Sequence, residues 1–533
     1  MNVGASRDRM PPHTPQFAPL PQCAAALREH PAVREALVGQ MAAPNQPVVA
    51  FVLPDEGYLD DVLGRKEAAS GQVRRWRKVY DLSQLAKPAA ASPVAFNLAG
   101  WNSSYTRQPL PPEDMREWVQ TTVDRIGALA PTEVLEIGCG AGLLLLRLAP
   151  ACQRYVALDF SPQVLRKLRE HLAQTADLFG KVDLLERSAD NFEGFAEDSF
   201  STVIVNSVAQ YFPSLSYLDR VVENAIRVTR PGGHVFIGDL RNFVLHEAYA
   251  ASVETFQATP EATVGELRSR IHRRMQQEAE LVVSPAYFLS LQHRFPKISR
   301  VEIYPRRGHC DNEMTRFRFD AIFWLGPEST PAAQIQFPDA PAGGWKLDDM
   351  KSRLTSGREA ALGFACISNS RVAREIPLLT QLASAGPELT LGELRRYIDQ
   401  PATPAVHPEE IAAMAAETGF RVAMSWAVCY SDGAYDAVFV RQGSGPKGDF
   451  PSVPCPQPSP AAFVYLANAP GQSGIRERLG RELLSTCSAR LPGQPVPTRV
   501  CLVDAFPRRA DRSVDCEALL SASQATLLGC SLS

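Results

Sequence analysis

The 533-residue chain has few cysteines, no long apolar run and no excess of either charge. Its 11 cysteines form no C-x-x-C pair, which excludes a zinc ribbon and a thioredoxin-type motif, and we expect no metal site. No aliphatic run is longer than that from Leu143 to Leu146, whereas a membrane helix needs about 20 apolar residues. The N-terminus lacks the apolar core of a secretory signal. We therefore expect a cytoplasmic protein with free thiols and no membrane segment.

The charges almost cancel, with 55 Lys and Arg against 58 Asp and Glu, whereas a nucleic-acid binder usually has a basic excess. Hydrophobic residues make up 45% of the chain, which is an ordinary globular value. Proline is over-represented, at 43 positions or about 8% of the chain, against a usual value near 5%. Because proline lacks a backbone donor and restricts φ, its distribution predicts a disordered tail over residues 1–22 and linkers over 327–345 and 444–461.

Short apolar segments alternate with helical segments between residues 132 and 240. Five of them predict buried strands: Glu133–Ile137, Tyr155–Leu158, Val182–Leu185, Thr202–Val205 and Val235–Ile237. Such strands separated by helices are typical of a parallel, doubly wound sheet. Residues 245–294 predict three helices, and two strands near Val301–Tyr304 and Phe319–Leu325 follow. We therefore predict an α/β fold with a Rossmann-like sheet, helical insertions and a final pair of strands.

A glycine-rich segment, VLEIGCGAGLLLLRLAP (residues 134–150), begins in the first predicted strand. Gly138, Gly140 and Gly142 lie at the turn into the next helix, where the backbone needs positive φ and close approach to a ligand. A dinucleotide site would need a small residue at position 143, which is leucine, and no G-K-[ST] of a P-loop follows. The remaining pattern, E-x-G-x-G-x-G, resembles motif I of the class I methyltransferases that use S-adenosylmethionine (SAM).

Acidic and amide side chains follow the predicted strands, and the resemblance implies that they bind the cofactor. Asp159 ends the second strand, where a carboxylate can accept both ribose hydroxyls. Asp190, with Asn191 beside it, follows the third strand, where the family holds the adenine amino group, and Asn206 ends the fourth. Glu136, the glutamate of the glycine-rich motif, is expected to bind the cofactor as well. A helix N-cap for Asp190 and a loop-tethering role for Glu136 are the open alternatives.

Several longer segments are similar to the methyltransferase domains embedded in nonribosomal peptide synthetases. They are residues 96–126, 205–242, 312–323, 368–376 and 425–443. The flanks, AALREHPAVREALV (25–38) and residues 489–520, resemble the two halves of an adenylation domain's C-terminal subdomain. In the family, an N-methyltransferase is inserted between these halves. The resemblance therefore implies that both chain ends assemble into one small α/β subdomain.

The resemblance also implies a set of domain boundaries. They are 23–54 and 462–533 for the two parts of the adenylation-like remnant, 55–130 for an N-terminal lid, 131–326 for the SAM-binding core with its helical insertion at 245–294, and 346–443 for a C-terminal extension. Ser513 stands where the family has its adenylate-forming lysine, so we expect no adenylation by this chain. Only about 20 residues precede Ala25, too few for an adenylation core, so a stand-alone methyltransferase is expected.

The acceptor pocket is expected at the strand ends, where open α/β sheets place their sites. We expect catalytic roles for Tyr211, Glu313 and Asp239, and substrate contacts from Gln210, Arg241 and His309. Tyr105, in a segment that resembles the family's lid, is expected to bond the methionine carboxylate of SAM. Simple packing is the open alternative for Tyr105 and Tyr211, and His246 is a second candidate base beside His309.

The expected function is methylation of the α-amine of an aminoacyl or peptidyl thioester held by a peptidyl carrier protein. An α-amine has a pKa of about 7.7–8.0, so it needs no strong base. The basic stretch LRSRIHRRM (267–275) is a candidate docking site for the carrier. Methylation of a free small molecule or peptide on oxygen, sulfur or nitrogen is one alternative, and a catalytically silent scaffold is another. The intact glycine segment argues against the scaffold.

Overall fold

The computed structural model describes most of the chain, and the described residues form two compact units. The described ranges are 17–41, 48–62, 71–78, 81, 101–175, 178, 180–327, 335–357, 359–398, 404–443, 458–470, 473–509 and 511–520. The first unit contains the described residues up to 62 together with 463–465 and those from 473 onward, and the second contains the described residues between these two ends.

The small unit is built from both ends of the chain. Its strands are β1 (Phe17–Pro19), β2 (Val33–Met41), β3 (Val48–Pro54) and β14 (Arg499–Leu502), and its helices are α1 (Pro21–Arg28), α2 (Glu56–Asp61) and α16 (Ser473–Arg490). The sheet order is β1-β2-β3-β14, and β14 lies parallel to β3 with Arg499 opposite Val49. Leu27 of α1 packs with Leu479 and Leu483 of α16. The predicted subdomain assembled from both chain ends is confirmed.

Two sequence-based boundaries around this unit are wrong. Residues 1–16 of the expected tail lie outside the described residues, but β1 and the start of α1 occupy positions 17–22. Pro19 stands on an edge strand and Pro21 in the first turn of a helix, the two places where a missing N–H costs little. Residues 55–62, expected in the lid, contain α2 and its two caps, and Leu59 of α2 is buried in the core of the small unit.

The second unit has a seven-stranded central sheet. Its strands are β4 (Glu133–Ile137), β5 (Arg154–Asp159), β6 (Val182–Glu186), β7 (Phe200–Asn206), β8 (Thr229–Arg241), β9 (Ile298–Pro305) and β10 (Arg318–Leu325). The order is β6-β5-β4-β7-β8-β10-β9, with β4 to β8 parallel and β10 antiparallel to both neighbours. The predicted α/β class, the Rossmann-like sheet and the late pair of strands are confirmed.

Helices cover the sheet because their apolar residues recur on one face. The described helices of this unit are α3 (71–78), α4 (Pro112–Gly127), α5 (Leu145–Leu148), α6 (Pro162–Leu172), α7 (Leu215–Val228), α8 (His246–Gln257), α9 (Val264–Gln276), α10 (Pro285–Arg294), α11 (Glu313–Arg316), α12 (Leu347–Ser356), α13 (Glu375–Ser384), α14 (Leu391–Ile398) and α15 (Pro408–Glu417). Ser161 and Ser214 cap α6 and α7 at the strand ends. Nowhere in the described ranges is a helix both long and apolar enough to cross a membrane.

A second, smaller sheet follows the central one in the chain. It consists of β11 (Ala361–Ile367), β12 (Phe420–Ser425) and β13 (Tyr435–Arg441) in the order β11-β13-β12. Residues 335–345, expected to be linker, pack on this sheet: Trp345 is fully buried and donates from Nε1 to Ala365 O at 3.0 Å. Burial of one large aromatic side chain outweighs the loop-forming tendency of the neighbouring prolines and glycines. Positions 328–334 and 444–457 lie outside the described residues.

Candidate functional site

The glycine turn after β4 has the backbone conformation that its sequence predicts. Gly138, Gly140 and Gly142 have φ angles of 73°, 52° and 82°, in the left-handed region that glycine adopts without strain. A Cβ at position 138 would lie 2.4 Å from a methyl carbon of Val208, and one at position 142 would lie 2.8 Å from Leu168 Cδ1. The turn therefore has room only for glycine at these two positions.

The carboxylate of Asp159 lies against this turn at the end of β5. Its Oδ2 accepts a hydrogen bond from Gly140 N at 3.0 Å, and its Oδ1 accepts one from Ser161 N at 2.8 Å. Burial raises the pKa of Asp159 to about 6, against the opposing effect of these backbone donors. The carboxylate is therefore fixed in place, is ionised at pH 7, and has lone pairs left for further donors.

Glu136 is buried inside β4. Its Oε2 accepts a hydrogen bond from the hydroxyl of Tyr155 on the neighbouring strand β5 at 2.8 Å. Burial raises the pKa of Glu136 to about 8, and the negative charge of Asp159 adds to the rise. Glu136 is therefore a neutral carboxylic acid at pH 7 that links two strands. Within the described residues, no hydrogen bond joins it to the glycine turn, so the tethering alternative gains no support.

Asp190 and Asn191 follow β6 in a loop. Asp190 Oδ1 accepts hydrogen bonds from Ser188 Oγ at 2.9 Å and from the hydroxyl of Tyr217 on α7 at 2.8 Å. No helix begins in the described residues directly after it, so the N-cap alternative is wrong. Asn191 is exposed, and its Oδ1 accepts from Glu193 N at 3.0 Å. The structure thus fixes Asp190 against α7 and uses the Asn191 side chain to close the loop.

Two buried amide side chains follow β7. Asn206 is 8% exposed and Gln210 is 3% exposed. Their oxygens, Asn206 Oδ1 and Gln210 Oε1, have no hydrogen-bond partner among the described residues. Buried acceptors without a partner are costly, and such groups in a native protein often face a ligand. SAM carries amino and hydroxyl donors, so the unpaired Asn206 oxygen fits it, and the Gln210 oxygen is left for a donor of a second ligand.

Asp239, expected to act in catalysis, is fully buried among protein partners. Its Oδ1 accepts from Trp118 Nε1 at 3.2 Å, and its Oδ2 accepts from Ser207 Oγ at 2.6 Å and pairs with Arg318 at 2.7 Å. Asp239 and Ser207 have φ angles of 61° and 58°, which are uncommon for residues other than glycine and tend to occur at functional sites. The Asp239 carboxylate therefore joins the ends of β7, β8 and β10 to α4.

Arg241 and His246 lie just beyond β8. The Arg241 guanidinium pairs with Glu278 and Glu280, each at 2.8 Å, and lies 4.8 Å from the centroid of the Tyr249 ring. His246 is 3% exposed, and neither of its ring nitrogens has a partner within the described ranges. Burial, with the positive charge of Arg241, lowers the pKa of His246 to about 4. His246 is therefore neutral at pH 7 and only weakly basic.

Glu313, expected to be catalytic, is the anchor of the segment Trp101–Tyr105. It lies in α11, where it is 5% exposed. Its Oε1 accepts from Ser104 N at 2.7 Å, and its Oε2 accepts from Ser103 Oγ at 3.3 Å. Both carboxylate oxygens therefore position this segment, so Glu313 would influence the site through the segment it holds.

Tyr105 turns towards α8. Its hydroxyl donates to Ser252 Oγ at 3.1 Å, and its ring packs edge-on against Phe256 with centroids 5.4 Å apart. Gln257 Nε2 donates to the carbonyl oxygens of Ser104 and Tyr105 at 2.9 and 3.1 Å. The end of α8 thus holds the segment 101–105 as well, through backbone carbonyls, while Glu313 binds Ser103 and Ser104. The packing alternative describes this arrangement better than a hydroxyl aimed at the cofactor.

His309 is a surface residue. Its side chain is 80% exposed, and its Nδ1 lies 2.8 Å from Glu117 Oε1 on α4. The same carboxylate also accepts from the backbone N of His309 and of Cys310. Glu117 therefore organises this loop and holds the His309 ring at the surface, and a substrate contact from His309 stays a prediction.

The sequence analysis missed two residues that the structure brings to this edge of the sheet. Trp76 of α3 packs against Tyr211 with ring centroids 4.8 Å apart, and Asp81 Oδ1 accepts from Ser161 Oγ at 2.6 Å, next to Asp159. Tyr211 itself is 37% exposed, so it is not a core aromatic. In the segment RRWRKVYD (residues 74–81), Trp76 stands among charged residues, and this was the signal that the sequence offered. No hydrophobic periodicity linked the segment to a strand end, so the sequence did not place it at the site.

Comparison with known proteins agrees with this geometry. Residues 135–235, from β4 into β8, match the family model described as a methyltransferase domain. The chain is 36% identical over 516 residues to the chondramide synthase cmdD of Chondromyces crocatus, covering 94% of this chain and 13% of that protein. It is 27% identical over 535 residues to the beauvericin nonribosomal cyclodepsipeptide synthetase of Beauveria bassiana, covering 95% of this chain and 17% of that protein.

Among solved structures, the N-methyltransferase NodS from Bradyrhizobium japonicum WM9 in complex with S-adenosyl-L-homocysteine has a TM-score of 0.28 and 17% identity to this chain. The match covers 43% of this chain and all of that one. A TM-score this low supports no detailed comparison.

The glycine turn, Asp159 and the family match together define a class I methyltransferase that uses SAM. More narrowly, the chain carries a methyltransferase domain of the kind found within nonribosomal peptide synthetases. The chain spans less than a fifth of the length of the two synthetases reported above.

Proposed function

We propose that this methyltransferase transfers the methyl group to the α-amine of an aminoacyl or peptidyl thioester on a peptidyl carrier protein. The proposal rests on one observation: the side chains expected to act as bases are weakly basic or already bound to other residues. His246 has a pKa of about 4, Asp239 is fully paired, and His309 is bound on the surface. An α-amine is partly neutral at pH 7 to 8 without help, whereas a hydroxyl acceptor would need a well-placed base.

The relatives support a peptide as the acceptor. Chondramide synthase and the beauvericin enzyme are large synthetases, and the printed name of the second states that it makes a cyclodepsipeptide nonribosomally. Their similarity to this chain extends through both flanks of the methyltransferase unit, over 94% and 95% of its length. A growing peptide or aminoacyl group in such a system offers an amine and is held as a thioester.

SAM supplies a methyl group on a positively charged sulfur, so the chain mainly has to position the acceptor and exclude water. Asp159 would accept the ribose hydroxyls, and Asp190 would face the adenine amino group. The unpaired oxygen of Gln210 would accept a hydrogen bond from an N–H of the acceptor amine and so orient the lone pair of the amine nitrogen. Tyr211, half exposed at this edge, would line the same pocket.

The experiment that tests the acceptor compares an aminoacyl thioester on a carrier protein with the free amino acid, each incubated with SAM and the chain. We expect intact-mass analysis to show one added methyl group on the loaded carrier and little on the free amino acid, because binding energy from the arm helps to position the amine. Fragmentation should place the methyl on nitrogen. A methyl on oxygen or sulfur would overturn the nitrogen assignment, and equal turnover of both substrates would overturn the carrier requirement.

The hydrogen bonds of Glu313 predict a positioning role. Replacing Glu313 by Ala releases Ser103 and Ser104, and displacement of an active-site segment by about 1 Å can cost roughly 100-fold in rate. We expect turnover to fall about 10- to 100-fold while the SAM dissociation constant changes less than about threefold. Steady-state kinetics and calorimetry measure the two quantities, and Glu313→Gln, which keeps one acceptor oxygen, should recover part of the turnover.

Asp311→Ala is the matched control for this variant. Asp311 lies two residues away, its side chain is 73% exposed, and it pairs with Arg316 at 3.4 Å. We expect near-normal turnover from it. If Glu313→Ala weakens SAM binding by the same factor as it lowers turnover, the carboxylate stabilises the cofactor pocket as a whole and the positioning role is wrong.

A further inference from the structure

A polar groove runs beside α9, on the face of the second unit where the sequence has its basic stretch. A cavity of about 710 Å³ is lined by Gln257, Thr259, Ser269, Arg270 and Arg273 among others. Arg270 and Arg273 also line an adjoining cavity of about 340 Å³, together with Arg274. Because they share Arg270 and Arg273, the two cavities lie next to each other at α9, and together they are called the groove below.

Charges of both signs line this groove. Arg270, Arg273 and Arg274 line the smaller cavity together with the carboxylates of Glu254 and Glu278, and Glu261 and Glu266 line the larger one. From Gly265, beside Glu266, to Arg273, the helix rises about 12 Å at 1.5 Å per residue. An elongated ligand that lies along this helix would place an anionic end beside an arginine only where that arginine lacks a carboxylate partner.

Arg273 is the uncompensated cation of this cluster. Arg270 and Arg274 both pair with Glu254, at 3.0 and 2.6 Å, and Arg268 donates to backbone carbonyls at the end of α13. Arg273 is exposed and makes no ion pair or side-chain hydrogen bond within the described ranges. A guanidinium in this state presents five donors in a fork that matches a phosphate group.

Both parts of the groove connect to the candidate site. Gln257, in the larger cavity, donates to the carbonyls of Ser104 and Tyr105. Glu278, in the smaller cavity, pairs with Arg241 at the end of β8. The exposed ring of Phe256, next to Gln257, adds an apolar surface where the groove meets the segment 101–105.

We propose that this groove holds the phosphopantetheine arm of the carrier protein, with the arm's phosphodiester beside Arg273 and its neutral amides along α9 towards Gln257. The inference rests on the proposed function, since it names where that function's substrate arm would bind. The Thr259 hydroxyl can donate to or accept from an amide, and Gln257 Oε1 and Ser269 Oγ can accept, although the donors of these two side chains are used within the protein. An exposed phosphate contact of this kind should weaken with salt.

The test uses the complete chain with three forms of one aminoacyl thioester: on the carrier protein, on phosphopantetheine, and on pantetheine, which has no phosphate. For Arg273→Glu we expect kcat/KM to fall about tenfold or more with the first two and to change less than about twofold with the third. Arg166→Glu, which reverses the charge of an exposed arginine on α6, is the matched control and should change none of them.

A binding measurement separates this inference from the proposed function. Phosphopantetheine alone should bind to the wild-type chain in low salt, and Arg273→Glu should weaken that binding about tenfold, whether or not methyl transfer occurs. An equal loss with all three thioesters, no loss with any, or a loss confined to the intact carrier would overturn the phosphodiester assignment. Absence of N-methylation with all three substrates, with phosphopantetheine binding intact, would instead overturn the proposed function alone.

Discussion

Replacing Asp159 by Ala should weaken SAM binding roughly 10- to 150-fold, as measured by calorimetry. The carboxylate lies at the end of β5, and hydrogen bonds from Gly140 N and Ser161 N hold it there. Loss of a hydrogen bond to a charged group costs about 1.5–3 kcal/mol, which gives this range. Removal of the side chain also releases the glycine turn, so S-adenosylhomocysteine should lose affinity to a similar degree.

The raised pKa of Asp159 adds a pH dependence to this prediction. With a pKa of about 6, the carboxylate becomes protonated as the pH falls from 7 to 5, and a protonated acid accepts fewer hydrogen bonds. Wild-type SAM affinity should therefore decline over this interval, and the decline should be absent from Asp159→Ala. Asp183→Ala is the control, because Asp183 lies near the start of β6 with its side chain 56% exposed. Unchanged SAM affinity in Asp159→Ala would refute the ribose assignment.

Replacing Glu136 by Gln should stabilise the second unit at alkaline pH. Burial raises the pKa of Glu136 to about 8, so the folded protein keeps a proton that the unfolded chain releases near pH 4.5. The contribution of protonated Glu136 to the free energy of unfolding is therefore fully present below about pH 4.5 and is lost as the pH rises towards 8. At about 1.4 kcal/mol for each tenfold change in proton affinity, the wild type should lose roughly 3–5 kcal/mol relative to the variant.

Differential scanning calorimetry between pH 5 and 8.5 measures this difference, since the wild-type and variant transitions should separate as the pH rises. Glutamine keeps an oxygen that can accept from Tyr155, so the packing of β4 on β5 is preserved. Glu133→Gln is the control on the same strand: Glu133 pairs with Arg230 near the surface, and its loss should change stability by less than about 1 kcal/mol at any pH. Parallel pH profiles of wild type and Glu136→Gln would show that Glu136 ionises normally.

The central fold could be predicted from the sequence because its signals are local. Each strand from β4 to β8 contains a short apolar run, and the glycines at 138, 140 and 142 permit a tight turn with positive φ that other residues would strain to adopt. The subdomain built from both chain ends was predicted from resemblance, since no local property of β3 indicates that it pairs with β14, about 450 residues away.

The side-chain roles were harder to predict, because an acid or a tyrosine near a strand end has many available partners. Asp239 and Glu313 lie where the sequence placed them, but their oxygens are bound by Ser207, Arg318 and Ser104. His309 was close in sequence to the site and is bound by Glu117 on the surface. These partners come from distant segments, and sequence spacing carries no information about such distances.

The sequence by itself determined the class of protein: an α/β methyltransferase with a glycine turn and an acid at the end of the second strand. Hydrophobic periodicity and the steric demands of glycine act over a few residues, so they can be read along the chain. Only the tertiary structure decided which polar groups are consumed by internal hydrogen bonds and which are left for a ligand. That outcome depends on burial and on contacts between distant segments, such as those between Glu313 and Ser104, 209 residues apart, and between Trp118 and Asp239, 121 residues apart.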